Sequence, residues 1–128
     1  MPQAVVHFEI IGTDPAALRG FYGALFGWEF AVGDANTEQV SAPGQYGFVD
    51  GTAAGGTGIN GGVGGGPGYE RRVLFYVGVP SVAAALAAAE RLGGTRLMGP
   101  EPQPAGDFAV GRFADPEGNV VGVAGPPA

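Results

Sequence analysis

Two stretches of this chain repeat the same order of apolar and polar positions. Residues 5–11 alternate between the two kinds as a half-buried β-strand does, and residues 73–79 alternate in the same way. In the first stretch, His7 and Glu9 share one face of the predicted strand. The opposite face is apolar and consists of Val6, Phe8 and Ile10. We expect a helix to cover this apolar face.

A helical pattern with matching start and stop signals follows each strand. Asp14 and Ser81 are suited to accept hydrogen bonds from the free N–H groups of a first helical turn. Gly27 and Gly93 are suited to the left-handed conformation that commonly ends a helix. Between cap and glycine, apolar residues recur at the spacing of one buried face: Leu18, Phe21, Tyr22, Leu25 and Phe26 in the first helix, and Val82, Ala85, Leu86 and Ala89 in the second.

Shorter apolar stretches then complete two strand–helix–strand–strand–strand (βαβββ) modules. We predict further strands from Trp28 and over residues 45–50, 57–63, 95–98, 108–114 and 120–124, with loops at 33–43 and 99–106. The predicted organisation is one domain spanning residues 1–128. Its modules cover residues 5–63 and 72–125, and a glycine-rich linker at 64–71 joins them.

Composition excludes several classes of partner. The net charge is −6, and the only basic side chains besides His7 are six arginines, which argues against binding to nucleic acid or to an anionic membrane. The chain has no cysteine, so neither disulfides nor thiolate chemistry is available. It shows no signal pattern and no apolar run long enough for a membrane span. We therefore expect a soluble cytoplasmic protein.

The segments FYGALFGW at residues 21–28 and FADPEGNVVGV at residues 113–123 resemble the vicinal oxygen chelate superfamily. This superfamily includes glyoxalases, bleomycin-resistance proteins and extradiol dioxygenases. The resemblance spans nearly the whole chain and implies an α+β fold, in which two tandem βαβββ modules form a strongly curved mixed sheet around a central cavity. It also implies a homodimer, because many members dimerise.

The resemblance also implies four metal-ligand positions, on the first and last strand of each module. His7 matches the first of them, but its counterpart in the second module falls at Leu74, and the usual glutamate of the last strand is replaced by Gly122. The last strand of the first module lies within residues 51–69, which contain no His, Asp, Glu or Cys. A catalytic metal needs several converging ligands. We therefore predict no metal and no other cofactor, which argues against metal-dependent glyoxalase or dioxygenase activity.

Strand alternation indicates which side chains face the cavity that the resemblance implies. His7 and Glu9 lie on the face away from the helix, and we assign Phe113 to the core, so that the face opposite it on the same strand lines the cavity. The predicted ligand-binding residues are His7, Glu9, Tyr46, Phe48, Leu74, Tyr76, Phe108, Val110 and Arg112. Aromatic walls with a few polar groups suit a small, partly apolar organic molecule.

The same residues also have interpretations that involve no ligand. We favour interpreting His7 as a relic of an ancestral ligand over a catalytic role. Glu9 and Arg112 are also interpreted as a neutralising pair, and Tyr76 as a wall residue whose hydroxyl reaches water. The GxGxxG pattern at residues 56–61 lacks a following helical pattern, which argues against a nucleotide loop. We expect Asp115 and Glu117 to serve the DPEGN turn.

Three functional hypotheses follow from the sequence. The leading one is a metal-free protein that binds a small organic molecule, as in the bleomycin-resistance branch. The alternative is a small-molecule lyase, isomerase or dioxygenase-like enzyme in which His7 or Glu9 acts as an acid or base, or as a residual metal ligand. The third is a structural or interaction module, which a groove closed by side chains would indicate.

Overall fold

The computed structural model describes residues 2–33, 37–52, 58–103 and 107–128. The first module consists of β1 (Val5–Gly12), α1 (Pro15–Phe26), β2 (Ala31–Gly33), β3 (Tyr46–Val49) and β4 (Asn60–Gly65). The second consists of β5 (Arg72–Gly78), α2 (Val82–Arg91), β6 (Thr95–Pro102), β7 (Ala109–Ala114) and β8 (Val120–Gly125). Both are βαβββ modules, so the predicted α+β class is confirmed. The chain forms two compact units. The first consists of His7–Val73, and the second consists of Leu74–Ala128 together with the residues before His7.

Each module contains a four-stranded mixed sheet with the same connectivity. The strand order is β2-β3-β4-β1 in the first module and β5-β8-β7-β6 in the second. In each, the first strand runs parallel to the last, and the last runs antiparallel to the third. The first and last strands of each module are therefore neighbours in space, although the helix and the other two strands lie between them in the sequence. This connectivity places Glu9 opposite Gly62 and Tyr76 opposite Gly122.

The helix ends follow the predicted capping chemistry. The side chain of Asp14 accepts a hydrogen bond from the backbone N–H of Ala17 at 3.2 Å, and Ser81 accepts one from Ala84 at 3.1 Å. Both contacts satisfy donors of a first turn that have no partner within the helix. At the other end of α1, Gly27 has φ of 72°, the left-handed conformation that glycine adopts at little cost. The predicted caps are confirmed.

Helix α2 buries the face that its periodicity indicates. Val82 and Leu86 are fully buried and pack with Val79, Ala109 and Val123 into one hydrophobic cluster. Phe113 packs against the same cluster. The assignment of the Phe113 face of β7 to the core is therefore confirmed, and Arg112 lies on the other face of that strand.

Helix α1 buries only part of the stripe that the sequence indicated, since Leu18 and Tyr22 are partly buried and the other three residues are exposed. Phe21, Leu25 and Phe26 are 59%, 58% and 56% exposed, although the expectation placed them in the core. The inward face is rotated by about one residue, because two positions that carry no hydrophobic signal lie on it. Arg19 donates to the carbonyl of Gln45 and its stem packs on β3, whereas Gly23 lets the chain at Trp28 approach closely.

Several strand boundaries differ from the predicted ones. Trp28 lies before β2, and its ring packs on Phe8 at 5.1 Å between centroids and on Tyr22 and Phe26 of α1. Strand β4 continues through Gly65, two residues into the predicted linker, and β6 continues into the predicted loop as far as Pro102. The expectation that Phe108 belongs to a strand is wrong, because β7 begins at Ala109.

The remaining predictions concern turns and loops. Asp115 accepts hydrogen bonds from the backbone N–H groups of Glu117 and Asn119, both at 2.9 Å, which confirms its role in the turn. The GxGxxG pattern runs into β4 and not into a helix; residues 56 and 57 of it lie outside the described residues, as do parts of the two predicted loops. In the described part of the chain, no helix has the length and apolar character to cross a membrane.

Candidate functional site

The predicted polar face of β1 is the face that points away from α1. Phe8 packs on Trp28, on the helix side of the sheet. Because successive side chains of a strand alternate, His7 and Glu9 lie on the opposite side. Glu9 is nearly inaccessible, at 3% exposure, whereas His7 is half-buried. The strand parity expected for these two residues is confirmed within the first module.

Tyr46 connects His7 and Glu9 through its hydroxyl. The Nε2 atom of His7 lies 2.8 Å from the Tyr46 oxygen, and the hydroxyl donates a hydrogen bond to Oε2 of Glu9 at 3.0 Å. Both distances are those of well-formed hydrogen bonds. A buried carboxylate costs free energy when its hydrogen-bonding capacity is unmet, so the contact from Tyr46 also stabilises Glu9. We refer to His7, Tyr46 and Glu9 as the polar triad.

Glycines in β4 make the reach of Tyr46 possible. Tyr46 belongs to β3, and β4 lies between β3 and β1 in the sheet. A Cβ atom built on Gly62 would overlap the Tyr46 ring, and one built on Gly64 would lie 2.8 Å from it. The ring therefore lies across positions that have no side chain. This is the close approach for which a strand glycine is suited.

Phe48 supplies an apolar surface beside the polar triad. It follows Tyr46 on the same face of β3, and its ring centroid lies 6.5 Å from that of His7. The ring planes differ by 22° for His7 and Phe48 and by 13° for His7 and Tyr46. Phe48 is 40% exposed, so part of this aromatic surface is open to solvent. The structure thus brings together the four predicted residues of the first module.

His7 lies in an environment that favours the neutral ring. Burial lowers the pKa of His7 below its ordinary value of 6.5, because the imidazolium form loses hydration. The negative charge of Glu9 opposes this shift and raises the pKa, but it is the smaller of the two causes. At neutral pH, His7 is therefore an uncharged imidazole that exchanges hydrogen bonds with its neighbours.

In the second module, Tyr76 and Arg112 form a comparable pair. Both are buried, and Nε of Arg112 donates a hydrogen bond to the Tyr76 hydroxyl at 3.1 Å. The interpretation in which this hydroxyl reaches water is thus replaced by a contact with a charged side chain. A Cβ atom on Gly122, which lies between Tyr76 and Arg112 in the sheet, would overlap the Tyr76 ring.

The other three predicted residues of the second module belong to no such contact network among the described hydrogen bonds. Leu74 and Val110 are buried hydrophobic residues of β5 and β7. Phe108 is 42% exposed and lies just before β7, where its carbonyl accepts a hydrogen bond from Gln103 at 2.9 Å. The predicted ligand contacts of these residues stay predictions.

The arrangement does not fit the metal centre that the superfamily resemblance implies. Gly122 occupies one of the implied ligand positions, and its equivalent on β4 by register is Gly62. Tyrosine rings cover both positions, so a longer side chain at either one would displace a ring. In the parts of the chain that the structure describes, no three His, Cys, Asp or Glu side chains are grouped to hold a metal ion.

A groove of about 550 Å³ lies elsewhere in the compact unit His7–Val73, outside the polar triad. Its walls come from the end of β1, the first half of α1 and the start of β5. Apolar side chains dominate it, among them Ile10, Leu18 and Phe21, with Arg71 and Arg72 also contributing. The guanidinium of Arg72 pairs with Glu70. None of the nine predicted ligand-binding residues lines this groove.

Sequence reasoning did not identify Gly62 and Gly64 as part of the site. Their role depends on β4 lying between Tyr46 and β1, a neighbour relation that periodicity within one strand does not contain. The available signal was the spacing itself, since Gly62 and Gly64 are two residues apart and thus share one face of β4. A glycine within a strand often marks a site where another group approaches the backbone closely.

Comparisons with known proteins agree with this architecture. A search of curated proteins gives no match. Among solved structures, a methylmalonyl-CoA epimerase of Streptomyces coelicolor in complex with 2-nitronate-propionyl-CoA is 17% identical, with 97% of each chain covered and a TM-score of 0.63. A hypothetical protein of Bacillus halodurans is 14% identical, with 97% of this chain and 94% of that chain covered and a TM-score of 0.64. At these identities the likeness shows the fold alone.

Membership of a family is shown at the level of sequence. The family model of the glyoxalase-like domain matches residues 6–124, which is nearly the whole chain. The match includes both modules, the polar triad and the Tyr76–Arg112 pair. This chain therefore belongs to the glyoxalase-like family, within the vicinal oxygen chelate superfamily.

Proposed function

We propose that this protein binds a small, partly apolar organic molecule at the polar triad and Phe48, without a catalytic metal. The observation that carries the proposal is the position of Tyr46. Its ring covers Gly62, the equivalent of an implied metal-ligand position, while its hydroxyl contacts His7 and Glu9. A tyrosine thus takes the place of metal coordination at the centre of the first module.

The composition of this surface supports a ligand with a flat apolar part. His7, Tyr46 and Phe48 offer rings in similar planes, and such rings favour offset stacking on a planar group. The polar atoms are few and fixed by hydrogen bonds, which is typical of sites that orient a mostly apolar molecule. The buried carboxylate of Glu9 orders Tyr46 and so preorganises the surface.

A screen of small aromatic and alkyl compounds by protein-observed NMR tests this proposal. We expect binders to shift the signals of the single imidazole, His7, and Tyr46→Ala to weaken their affinity by about tenfold, or about 1.4 kcal/mol. Tyr69→Ala is the matched control, because the Tyr69 hydroxyl contacts the carbonyl of Glu38 at 2.6 Å, outside the triad. A library without binders, or binders indifferent to Tyr46→Ala, would overturn the proposal.

The metal-free part of the proposal has its own test. Affinities measured with a chelator present and with added Mn²⁺, Ni²⁺ or Zn²⁺ should agree, because two implied ligand positions are glycines covered by tyrosine rings. A binder that requires one of these ions would contradict the metal-free site. Such a metal requirement would not decide where the ligand binds, because that location is tested separately by Tyr46→Ala.

A second candidate is a metal-free enzyme in which His7 acts as a general base and Glu9 orients the site through Tyr46. The lowered pKa of His7 favours it, because a base has to be unprotonated at the working pH. Following each bound compound by NMR over time would reveal turnover. The enzyme hypothesis expects His7→Gln to abolish turnover while binding persists, and an unchanged rate would exclude His7 as the base.

We also propose that the protein forms a homodimer through the exposed side of α1. Phe21 and Leu25 are more than half exposed and one helical turn apart, and such patches mark interaction sites. The only charged residue of α1, Arg19, is engaged with Gln45, so two copies of this face would meet without repulsion. Sedimentation should show a dimer that Leu25→Glu dissociates and Ala84→Glu, on the exposed side of α2, leaves intact. A monomeric native protein would refute the proposal.

A further inference from the structure

The number of protons available to the polar triad limits how its three members can be connected. A tyrosine hydroxyl has one hydrogen to donate and two lone pairs that accept. In the structure that hydrogen is directed to Oε2 of Glu9, 3.0 Å away. The Glu9 oxygen is the acceptor of this bond, so the single hydrogen of the Tyr46 hydroxyl is already used.

The contact between His7 and Tyr46 must then run in the opposite sense. With its hydrogen directed to Glu9, the Tyr46 oxygen is an acceptor toward Nε2 of His7, which lies 2.8 Å away. A nitrogen without a hydrogen at that position would set two acceptors against each other. A neutral imidazole carries its hydrogen on one nitrogen only, and which nitrogen carries it is decided by the neighbours of the ring.

We propose that Tyr46 is a positioning residue that fixes His7 as the tautomer protonated at Nε2 and orients its ring relative to Phe48. The inference rests on the proposed function, because it specifies which ring nitrogen presents which chemistry in that site. The Nδ1 atom of this tautomer accepts hydrogen bonds and cannot donate one. Gly62 and Gly64 contribute indirectly, since the Tyr46 ring lies across them.

Nitrogen NMR of the ring gives a direct test, because His7 is the only histidine in the chain. Long-range ¹H–¹⁵N correlation spectra, recorded well above pH 6.5 on the native protein, should show the pattern of a ring protonated at Nε2. In Tyr46→Phe the two nitrogen shifts should move toward each other, as a mixture of tautomers requires. Phenylalanine keeps a ring across Gly62 and Gly64, so the packing of this variant is conserved.

Two further variants separate the hydroxyl from general disturbance. Tyr69→Phe removes a hydroxyl that lies in the same compact unit, His7–Val73, and contacts Glu38. This variant should leave the His7 pattern unchanged. Gly62→Ala keeps the Tyr46 hydroxyl but displaces the ring, and it should move the nitrogen shifts in the same direction as Tyr46→Phe. If Gly62→Ala does not fold, Tyr46→Phe decides the matter alone.

The inference is overturned if the native ring is protonated at Nδ1, or if Tyr46→Phe gives the native pattern. Neither measurement involves a ligand, so both outcomes are independent of the compound screen. A screen without binders would remove the proposed function and leave the tautomer as observed. A wrong tautomer, with binders still dependent on Tyr46, would remove only the positioning role.

Discussion

Nε of Arg112 donates a hydrogen bond to the hydroxyl of Tyr76 across Gly122, over a distance of 3.1 Å. The first module contains the same arrangement in the reverse direction, where Tyr46 of β3 reaches across Gly62 to Glu9 of β1. In each module a tyrosine ring thus covers a glycine of the last strand and contacts a charged group on the far side. The two modules therefore share this geometry, although its chemistry differs between them.

We first predict that Gly62→Ala destabilises the protein. The added methyl group would overlap the Tyr46 ring, and inserting atoms into such a contact typically costs about 1–3 kcal/mol. Gly20→Ala is the control, because its Cβ atom would meet nothing within 4 Å and alanine favours a helix by roughly 0.5–1 kcal/mol. The midpoint of urea unfolding should therefore be lower in Gly62→Ala, and higher in Gly20→Ala, than in the native protein. Equal midpoints would contradict the contact between Tyr46 and β4.

The two helices allow a matched comparison of leucines. Leu86 of α2 is fully buried, so Leu86→Ala should lower the free energy of unfolding by about 2–5 kcal/mol. Leu25 of α1 is 58% exposed, so Leu25→Ala should change that free energy by no more than about 0.5 kcal/mol. The measurement is urea unfolding at a protein concentration at which both variants are monomers. A large loss of unfolding free energy in Leu25→Ala would show that Leu25 is buried, as expected from the sequence.

Stability should depend on pH through His7. Its folded pKa lies below the unfolded value of 6.5, so the unfolded state binds more protons as the pH falls from 6.5 toward the folded pKa. The contribution of His7 is thus fully present above pH 6.5 and is lost as the pH falls through this window. Unfolding curves recorded across the window should show the decline, and His7→Gln should remove it. An NMR titration that places the folded pKa above 6.5 would reverse the sign.

The cap of α2 should contribute measurably to stability. Ser81 accepts a hydrogen bond from the backbone N–H of Ala84, and removing such a contact typically costs about 0.5–2 kcal/mol. We expect Ser81→Ala to lose this amount in thermal or urea unfolding. Ser81→Asp should retain most of the stability, because a carboxylate accepts the same bond. Similar losses in both variants would show that the hydroxyl serves another purpose.

The sequence predicted the parts of the fold that depend on local chemistry. Asp14, Ser81 and Gly27 act within a single helical turn, so their roles follow from residue type and spacing alone. The strand parity of His7 and Glu9 follows from a period of two and needs no tertiary information. The buried face of α2 was also predicted from the sequence, because its inward residues are themselves apolar.

The parts that the sequence did not predict depend on which elements become neighbours. The inward face of α1 includes Arg19 and Gly23, and neither residue type carries a hydrophobic signal. The polar triad arises because β4 lies between β3 and β1 and because its glycines leave room for Tyr46. Strand order and close packing of this kind are relations between segments, so periodicity within one segment cannot contain them.

Side chains from neighbouring strands cover glycines on both faces of strand β4. Phe8 covers Gly61 on the helix side, and Tyr46 covers Gly62 and Gly64 on the other. At these three glycines, the chemistry of the surface is therefore that of the side chains that β1 and β3 extend over β4. A substitution at position 46 alone therefore changes the chemistry of this surface, while the backbone pairing of β4 with β1 and β3 beneath it stays as it is.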